Sequence, residues 1–265
     1  AERIIREQLT VRETPLLFCY LGDVTKDYEC YERAWSLSKN SFSRAKKSMG
    51  LWWLGRREFE KSLEHFETSL EINPLQIGLW FTYGCAGLSC GRFEKAATAF
   101  RRCVNLDNDN FEAWNNLATA YIRSHNKPRA FVTLQEAIKC EYENWRLWEN
   151  YLIISVDIGQ FEETIRAYHR LLELKQKHVD VEVLSNLTKA VCTNLKDASG
   201  EHSSKLKGKL LALFGHITSQ VTGDGCIWRL YAELTNHVEP GQNLSQSEQE
   251  KVIFMMMMRM VMMNF

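Results

Sequence analysis

A spacing of 34 residues recurs along the middle of this chain, carried by Trp80, Trp114 and Trp148 and by Phe66, Phe100, Leu134 and Tyr168. Three further columns keep the register: Phe59, Phe93 and Phe161; Ser62, Ala96, Ala130 and Thr164; Ser69, Cys103, Ala137 and Leu171. Self-similarity at roughly 20 to 50 residues marks a stack of supersecondary units, none of which can bury its apolar face alone. The small residues at 96 and 130 fall where a second helix must approach the first closely, and the large ones fill the gaps between pairs. Four Pro in 265 residues and no sustained apolar–polar alternation leave strands without support, so the chain is expected to be almost wholly helical.

The register predicts helices near 44–56, 59–72, 77–89, 92–106, 111–124, 128–140, 145–158 and 161–175. Pro74 can stop a helix at the end of one unit, and Pro128 falls in a first turn, where its missing N–H costs nothing. Upstream, Phe18, Leu21 and Gly22 read as a first helix and Tyr28 to Trp35 as a second. Trp35 precedes Phe66 by 31 residues, the sign of a shortened unit. Downstream, Val179 to Leu195 and Lys205 to Val221 read as two longer helices separated by the polar stretch Asp197 to Glu201. A fresh first helix follows Gly225, Asn236 to Gln249 reads as loop, and Ile253 to Phe265, with seven of the eight Met, reads as a further second helix. The expected organisation is an N-terminal helical region at 1–42, repeats at 43–76, 77–110, 111–144 and 145–178, a longer helical pair at 179–222, and a partial repeat with its methionine-rich tail at 223–265. The chain starts with Ala1 and in mid-helix, so a segment of a longer protein is expected.

Thirty-three basic against thirty-three acidic residues leave no net charge, which disfavours direct nucleic-acid binding. No apolar run reaches the roughly 18 residues that span a bilayer, and the start has no secretory core, so no membrane association is expected. Eight scattered Cys without a C-x-x-C pair read as small buried thiols in a reducing compartment, the cytoplasm and/or nucleus. The glycosylation sequons at Asn186 and Asn243 would then go unread. The His residues form no helical ligand pair, and neither a phosphate loop nor a dinucleotide fingerprint occurs, so no metal and no cofactor is expected. Gly87-Leu88-Ser89-Cys90-Gly91 spells the G-x-S-x-G nucleophile elbow, which needs a strand before the Ser. Here a helix and an interhelical turn are expected, and a serine hydrolase acting through Ser89 is the disfavoured alternative.

Set against the 34-residue pattern W-x-x-L-G-x-x-Y…A-x-x-x-F…P, the segment from Phe111 supplies Trp114, Leu117, Ala118, Tyr121, Ala130 and Leu134. The segment from Ile77 supplies Trp80, Gly84, Ala96 and Phe100, with Tyr83 for Leu and Gly87 for Tyr. The one from Ser43 supplies Gly50, Phe66 and Pro74, with Lys46 for Trp. The chain thus resembles the tetratricopeptide-repeat superfamily. That resemblance implies an all-α, right-handed superhelical solenoid of tetratricopeptide-type helix pairs, whose first helices line a concave groove for a partner segment. The groove-facing positions are Phe81, Cys85, Asn115, Thr119, Arg123, Arg146, Glu149 and Ile153. The Trp column is expected to be structural, at about 3–5 kcal/mol for replacement of one by Ala.

Chaperone partners in this superfamily hold C-terminal peptides with a two-carboxylate clamp. Asn116 and Arg146 fit its pattern, but Phe81, Cys85 and Asn150 do not, so weak or no binding of such peptides is expected. Trp148-x-x-Tyr151 and Trp228-x-x-Tyr231 resemble the half-repeat variant of RNA-processing factors, which keeps a place in an RNA-processing assembly as an alternative. A closer resemblance lies in Arg6 to Cys19, Leu21 to Val24, Ala113 to Leu117, Tyr121 to Arg123, Trp148 to Tyr151 and Ala167 to Leu172. These are similar to the C-terminal half of the tetratricopeptide repeat protein 27 family, over about Ile4 to Leu234. The resemblance implies an intracellular helical-repeat protein without assigned catalysis and carries over no site residues. The expected function is a non-catalytic scaffold for an unidentified protein partner, in an assembly or co-chaperone-like role.

Overall fold

A computed structural model describes residues 1–175 and 178–236. The chain forms two compact units, Ala1–Cys140 and Glu141 onward. In the first unit the helices are α1 (Glu2–Val11), α2 (Pro15–Thr25), α3 (Tyr28–Leu37), α4 (Ser43–Leu54), α5 (Phe59–Ile72), α6 (Ile77–Ser89), α7 (Phe93–Leu106), α8 (Phe111–Arg123) and α9 (Lys127–Cys140). The second unit has α10 (Trp145–Asp157), α11 (Phe161–Leu174), α12 (Val181–Cys192), a 3-10 turn (Ser203–Leu206), α13 (Lys207–Gln220) and α14 (Gly225–Asn236). No strand occurs among the described residues beyond an isolated bridge between Lys196 and His202. The fold is all-α, built of tetratricopeptide-type helix pairs: α4 packs on α5, α6 on α7, α8 on α9 and α10 on α11.

From α4 to α11 the helices fall within two residues of the bounds that the register predicts. α12 and α13 are shorter than expected, and α14 packs against both of them. The Asp197 carboxylate accepts the Ser199 and Glu201 amides at 2.8 Å and folds the intervening segment into a tight turn, shortening the helices on either side. The expected loop from Asn236 onward and the methionine-rich helix lie outside the described residues, Asn236 itself ending α14.

Polar caps fix where several helices begin. The side chains of Thr14, Asp27, Asn110, Asn144 and Asp180 accept amide hydrogens from the first turns of α2, α3, α8, α10 and α12. Within each pair the chain reverses through one left-handed residue at positions 57, 91, 125 and 159, again 34 apart: Arg57 (φ 62°), Gly91 (76°), His125 (59°) and Gly159 (74°). Glycine adopts that conformation without strain, whereas Arg57 and His125 hold it against their own Cβ atoms.

The core follows the columns. Phe66, Phe100, Leu134 and Tyr168 are fully buried, as are the small residues Ser62, Ala96, Ala130 and Thr164. Gly50 and Gly84 let Phe66 and Phe100 lie directly on the first helix, and a Cβ at Gly84 would stand 2.6 Å from the Phe100 ring. The tryptophans correct an expectation. Trp148 is buried, but Trp80 and Trp114 are half-buried, so the core-sized cost of truncation applies to Trp148. The reason is geometric: each indole latches the turn before its own helix. Trp80 donates to the Pro74 carbonyl, Trp114 to Asn108 and Trp148 to Tyr142, each at 2.8 Å, and Trp228 repeats the contact with Thr222 at 2.9 Å. The thiols depart from expectation too: Cys19 and Cys103 are buried, Cys226 is exposed and the other five are half-buried, all of them free.

Candidate functional site

In the first unit, α6 and α8 pack side by side and bring two groups of first-helix residues together. Phe81 is half-buried, its ring edge-on to Phe100 at 5.6 Å. Cys85, one turn on, is half-buried, and burial reinforced by the Glu112 carboxylate pushes its thiol pKa up, favouring the neutral thiol. Asn115, Asn116 and Thr119 on α8 are half-buried, the Thr119 hydroxyl donating to the Asn115 carbonyl at 3.0 Å. Arg123 is exposed at the last position of α8, where a cation complements the helix dipole.

In the second unit, α10 carries the other three. Arg146 is exposed over the Trp145 ring at 5.4 Å. Glu149 accepts from Lys175 Nζ at 3.3 Å, and that ammonium also covers Trp145 at 3.9 Å. Ile153 is 52% exposed. Several predicted groove residues are therefore already engaged: Phe81 in packing, Thr119 in a hydrogen bond within its helix, Arg146 over Trp145 and Glu149 in an ion pair. Beside them the His178 ring lies against Tyr168 at 5.4 Å, its Nε2 buried without a hydrogen-bond partner. Burial, then the Lys175 charge, lowers its pKa and favours the neutral ring.

Ser89 is the last residue of α6, and its hydroxyl donates to the Cys85 carbonyl at 2.9 Å. A helix precedes it and Gly91 makes the turn, so the local geometry is not that of a nucleophile elbow. The Trp-x-x-Tyr spacing is a packing pair in both units: Trp80 and Tyr83 lie 6.1 Å apart, Trp148 and Tyr151 6.0 Å, and Trp228 and Tyr231 6.3 Å. It therefore does not single out a half-repeat subclass.

Among the clefts that the groove residues do not line, two larger ones border the second helices. The first, of about 820 Å³, runs between α5 and α7 over Leu70, Trp80 and Tyr83. Its ends are marked by exposed Leu75 and Leu106 and by the Glu67–Lys95 ion pair at 2.6 Å. Tyr83 also donates to Glu67 at 2.5 Å. Burial alone would raise the Glu67 pKa, but these two donors hold it below the ordinary carboxylate value. The second cleft, of about 560 Å³, lies between α11 and α13 and is bounded by Tyr142, Trp148 and Arg170. With the Trp column taken as structural, the sequence pointed to neither cleft.

Helix pairs with this periodic core and its indole-latched turns define a tetratricopeptide-repeat protein. Residues 77–110 match the tetratricopeptide repeat family model, and the chain belongs to that superfamily. It is 39% identical to the tetratricopeptide repeat-containing protein trd-1 of Caenorhabditis elegans, over 77% of this chain and 26% of that protein. It is 33% identical to the tetratricopeptide repeat protein 27 homolog of Dictyostelium discoideum, over 88% of this chain and 27% of that one. The chain thus spans about a quarter of the length of these curated relatives. A solved TPR repeats protein from Bacteroides fragilis shares the fold, with a TM-score of 0.54 at 17% identity, covering 75% of this chain and all of that one.

Proposed function

We propose that this part of the protein is a non-catalytic scaffold that holds a segment of a partner protein on its first-helix face, the side expected to be concave in a tetratricopeptide stack. One observation carries the reading: in each unit one side of the first helices packs into the core, while Asn116, Thr119 and Arg123 of α8 in the first unit and Arg146 and Ile153 of α10 in the second keep solvent-facing surface. Rigid helices presenting polar and apolar groups at fixed intervals suit recognition of an extended or helical segment. A serine hydrolase finds no support at Ser89, whose hydroxyl is turned onto its own helix. A two-carboxylate clamp finds none at position 81, where Phe81 packs on Phe100. Among the described residues no helix is long and apolar enough to cross a membrane.

The test is affinity purification of this chain from cell lysate with mass spectrometry, beside a variant carrying Asn115→Ala, Arg123→Ala and Arg146→Glu. Loss of specific partners at unchanged helicity supports the first-helix face. Retention of the same partners by both forms would move the binding surface elsewhere.

A further inference from the structure

The two clefts share the positions of Pro74, Trp80 and Arg102, met again 68 residues on as Tyr142, Trp148 and Arg170; the first extends onto α5 and the second onto α13, and what fills the shared positions differs. In the second unit, Tyr142 packs edge-on against Trp148 at 5.2 Å, and the Arg170 guanidinium covers the Tyr142 ring at 4.6 Å. Arg170 also pairs with Glu143 at 2.5 Å and Glu173 at 2.6 Å. An aromatic ring held between indole and guanidinium, with carboxylates at the guanidinium edge, is a self-consistent arrangement: the ring quadrupole and both carboxylates favour the same cation.

In the first unit the indole and the guanidinium remain, as Trp80 and Arg102. The ring and both carboxylates are gone: Pro74 stands where Tyr142 stands, Leu75 where Glu143 stands and Asn105 where Glu173 stands. The turns that carry them have the same length and conformation, Asn73 to Gln76 in one and Glu141 to Asn144 in the other. Arg102 makes no ion pair or ring contact among the described residues.

We propose that the cleft between α5 and α7 is a docking site for a partner segment that presents an aromatic side chain followed by a carboxylate. The ring takes the place of Tyr142, against Trp80 and beneath Arg102, and the carboxylate pairs with Arg102 as Glu143 does with Arg170. The Trp80 indole N–H is already given to the Pro74 carbonyl, so the ring meets an indole surface that needs no further polar partner. Leu75, 74% exposed, and Leu106 supply apolar contact at that end. Glu67 is paired with Lys95, and Glu71, Glu94 and Arg102 are all exposed, where solvent and salt screen each of them alike. None of the predicted groove residues lines this cleft.

The test is fluorescence anisotropy of labelled, end-blocked nonapeptides with a central Tyr-Glu in Gly/Ser flanks, against otherwise identical Tyr-Lys and Ala-Glu peptides, on the intact chain. The Tyr-Glu peptide should bind at least about tenfold more tightly than either control. Arg102→Glu should reverse the preference between Tyr-Glu and Tyr-Lys. Pro74→Tyr/Leu75→Glu/Asn105→Glu, which installs the groups of the second cleft, should abolish binding at unchanged circular dichroism, while Asn115→Ala/Arg123→Ala should leave it intact. Equal or tighter binding of the Tyr-Lys peptide, no saturable binding of Tyr-Glu, or a triple variant that folds and still binds would each overturn the proposal. If the triple variant does not fold, the Arg102→Glu reversal decides alone.

Discussion

Gly84 to Ala is the substitution whose sign separates packing from helix propensity. Gly84 lies inside α6, where Ala is intrinsically better by about 1 kcal/mol. Against that, the new Cβ would stand 2.6, 2.7 and 2.8 Å from three carbons of the Phe100 ring. Unstrained carbon contacts begin near ~3.5 Å. Phe100 has no exposed surface through which to swing away. Overpacking of this kind costs about 1–3 kcal/mol, and three simultaneous contacts put it at the upper end, so Gly84→Ala should destabilise by about 2 kcal/mol net. The structure also supplies the remedy, because one repeat later the same two positions hold Ala118 and Leu134, both buried. Phe100→Leu added to Gly84→Ala should therefore recover stability, with a coupling energy of at least about 1 kcal/mol in a double-mutant cycle. Urea denaturation followed by circular dichroism measures all four forms, with Gly78→Ala, whose Cβ would meet nothing within 4 Å, as a control. A stabilising Gly84→Ala, or additivity of the pair within about 0.5 kcal/mol, would refute the close-approach reasoning.

The left-handed turns offer a gain: Arg57→Gly and His125→Gly should each stabilise by up to about 1 kcal/mol, read as a higher urea midpoint, and a loss at both would show that those side chains do unrecognised work. Trp80→Phe and Trp114→Phe keep an aromatic ring but remove the latch to the Pro74 and Asn108 carbonyls, so each should cost about 1 kcal/mol in the same assay. Thr188→Val should be neutral or stabilising by about 1 kcal/mol, because the Thr188 hydroxyl is buried without a hydrogen-bond partner. His65, His169 and His178 all have pKa values lowered chiefly by burial, so they fold neutral. The unfolded chain takes up those protons first, so stability should be intact above about pH 6.5 and fall as pH drops below it. Urea midpoints at pH 7.5 and 5.5 should separate less when all three are changed to Gln, and an unchanged separation would assign the loss to other groups.

The fold was legible because its core repeats. Columns such as Phe66, Phe100, Leu134 and Tyr168 recur at one spacing, and a stack can satisfy them only by burying the same position each time. Less visible were features whose chemistry changes while their geometry repeats. The left-handed turn at 57, 91, 125 and 159 is announced by glycine at two of four positions, since Arg57 and His125 accept the strain. The indole latch is invisible to a hydrophobic pattern: it leaves Trp80 and Trp114 half-buried with a hydrogen-bonding task, where a periodic apolar column reads as core. Groove residues were harder still, because helical phase gives exposure but not occupation. Phe81 and Glu149 sit in phase with the others and are already spent on Phe100 and Lys175.

Recognition in a repeat protein then has to be sought where the period is kept by the backbone and broken by the side chains. Stacking demands that the turn between pairs keep its length and that the following Trp close it, and both demands are met by Asn73 to Gln76 and by Glu141 to Asn144. Neither demand fixes the second and third residues of the turn, which point over the second helices. Tyr142 and Glu143 engage Arg170 in one cleft, and Pro74 and Leu75 leave Arg102 without an ion pair or ring contact among the described residues in the other. Because the backbone is common to both turns, exchanging these residues should move the free guanidinium from one unit to the other without disturbing the stack.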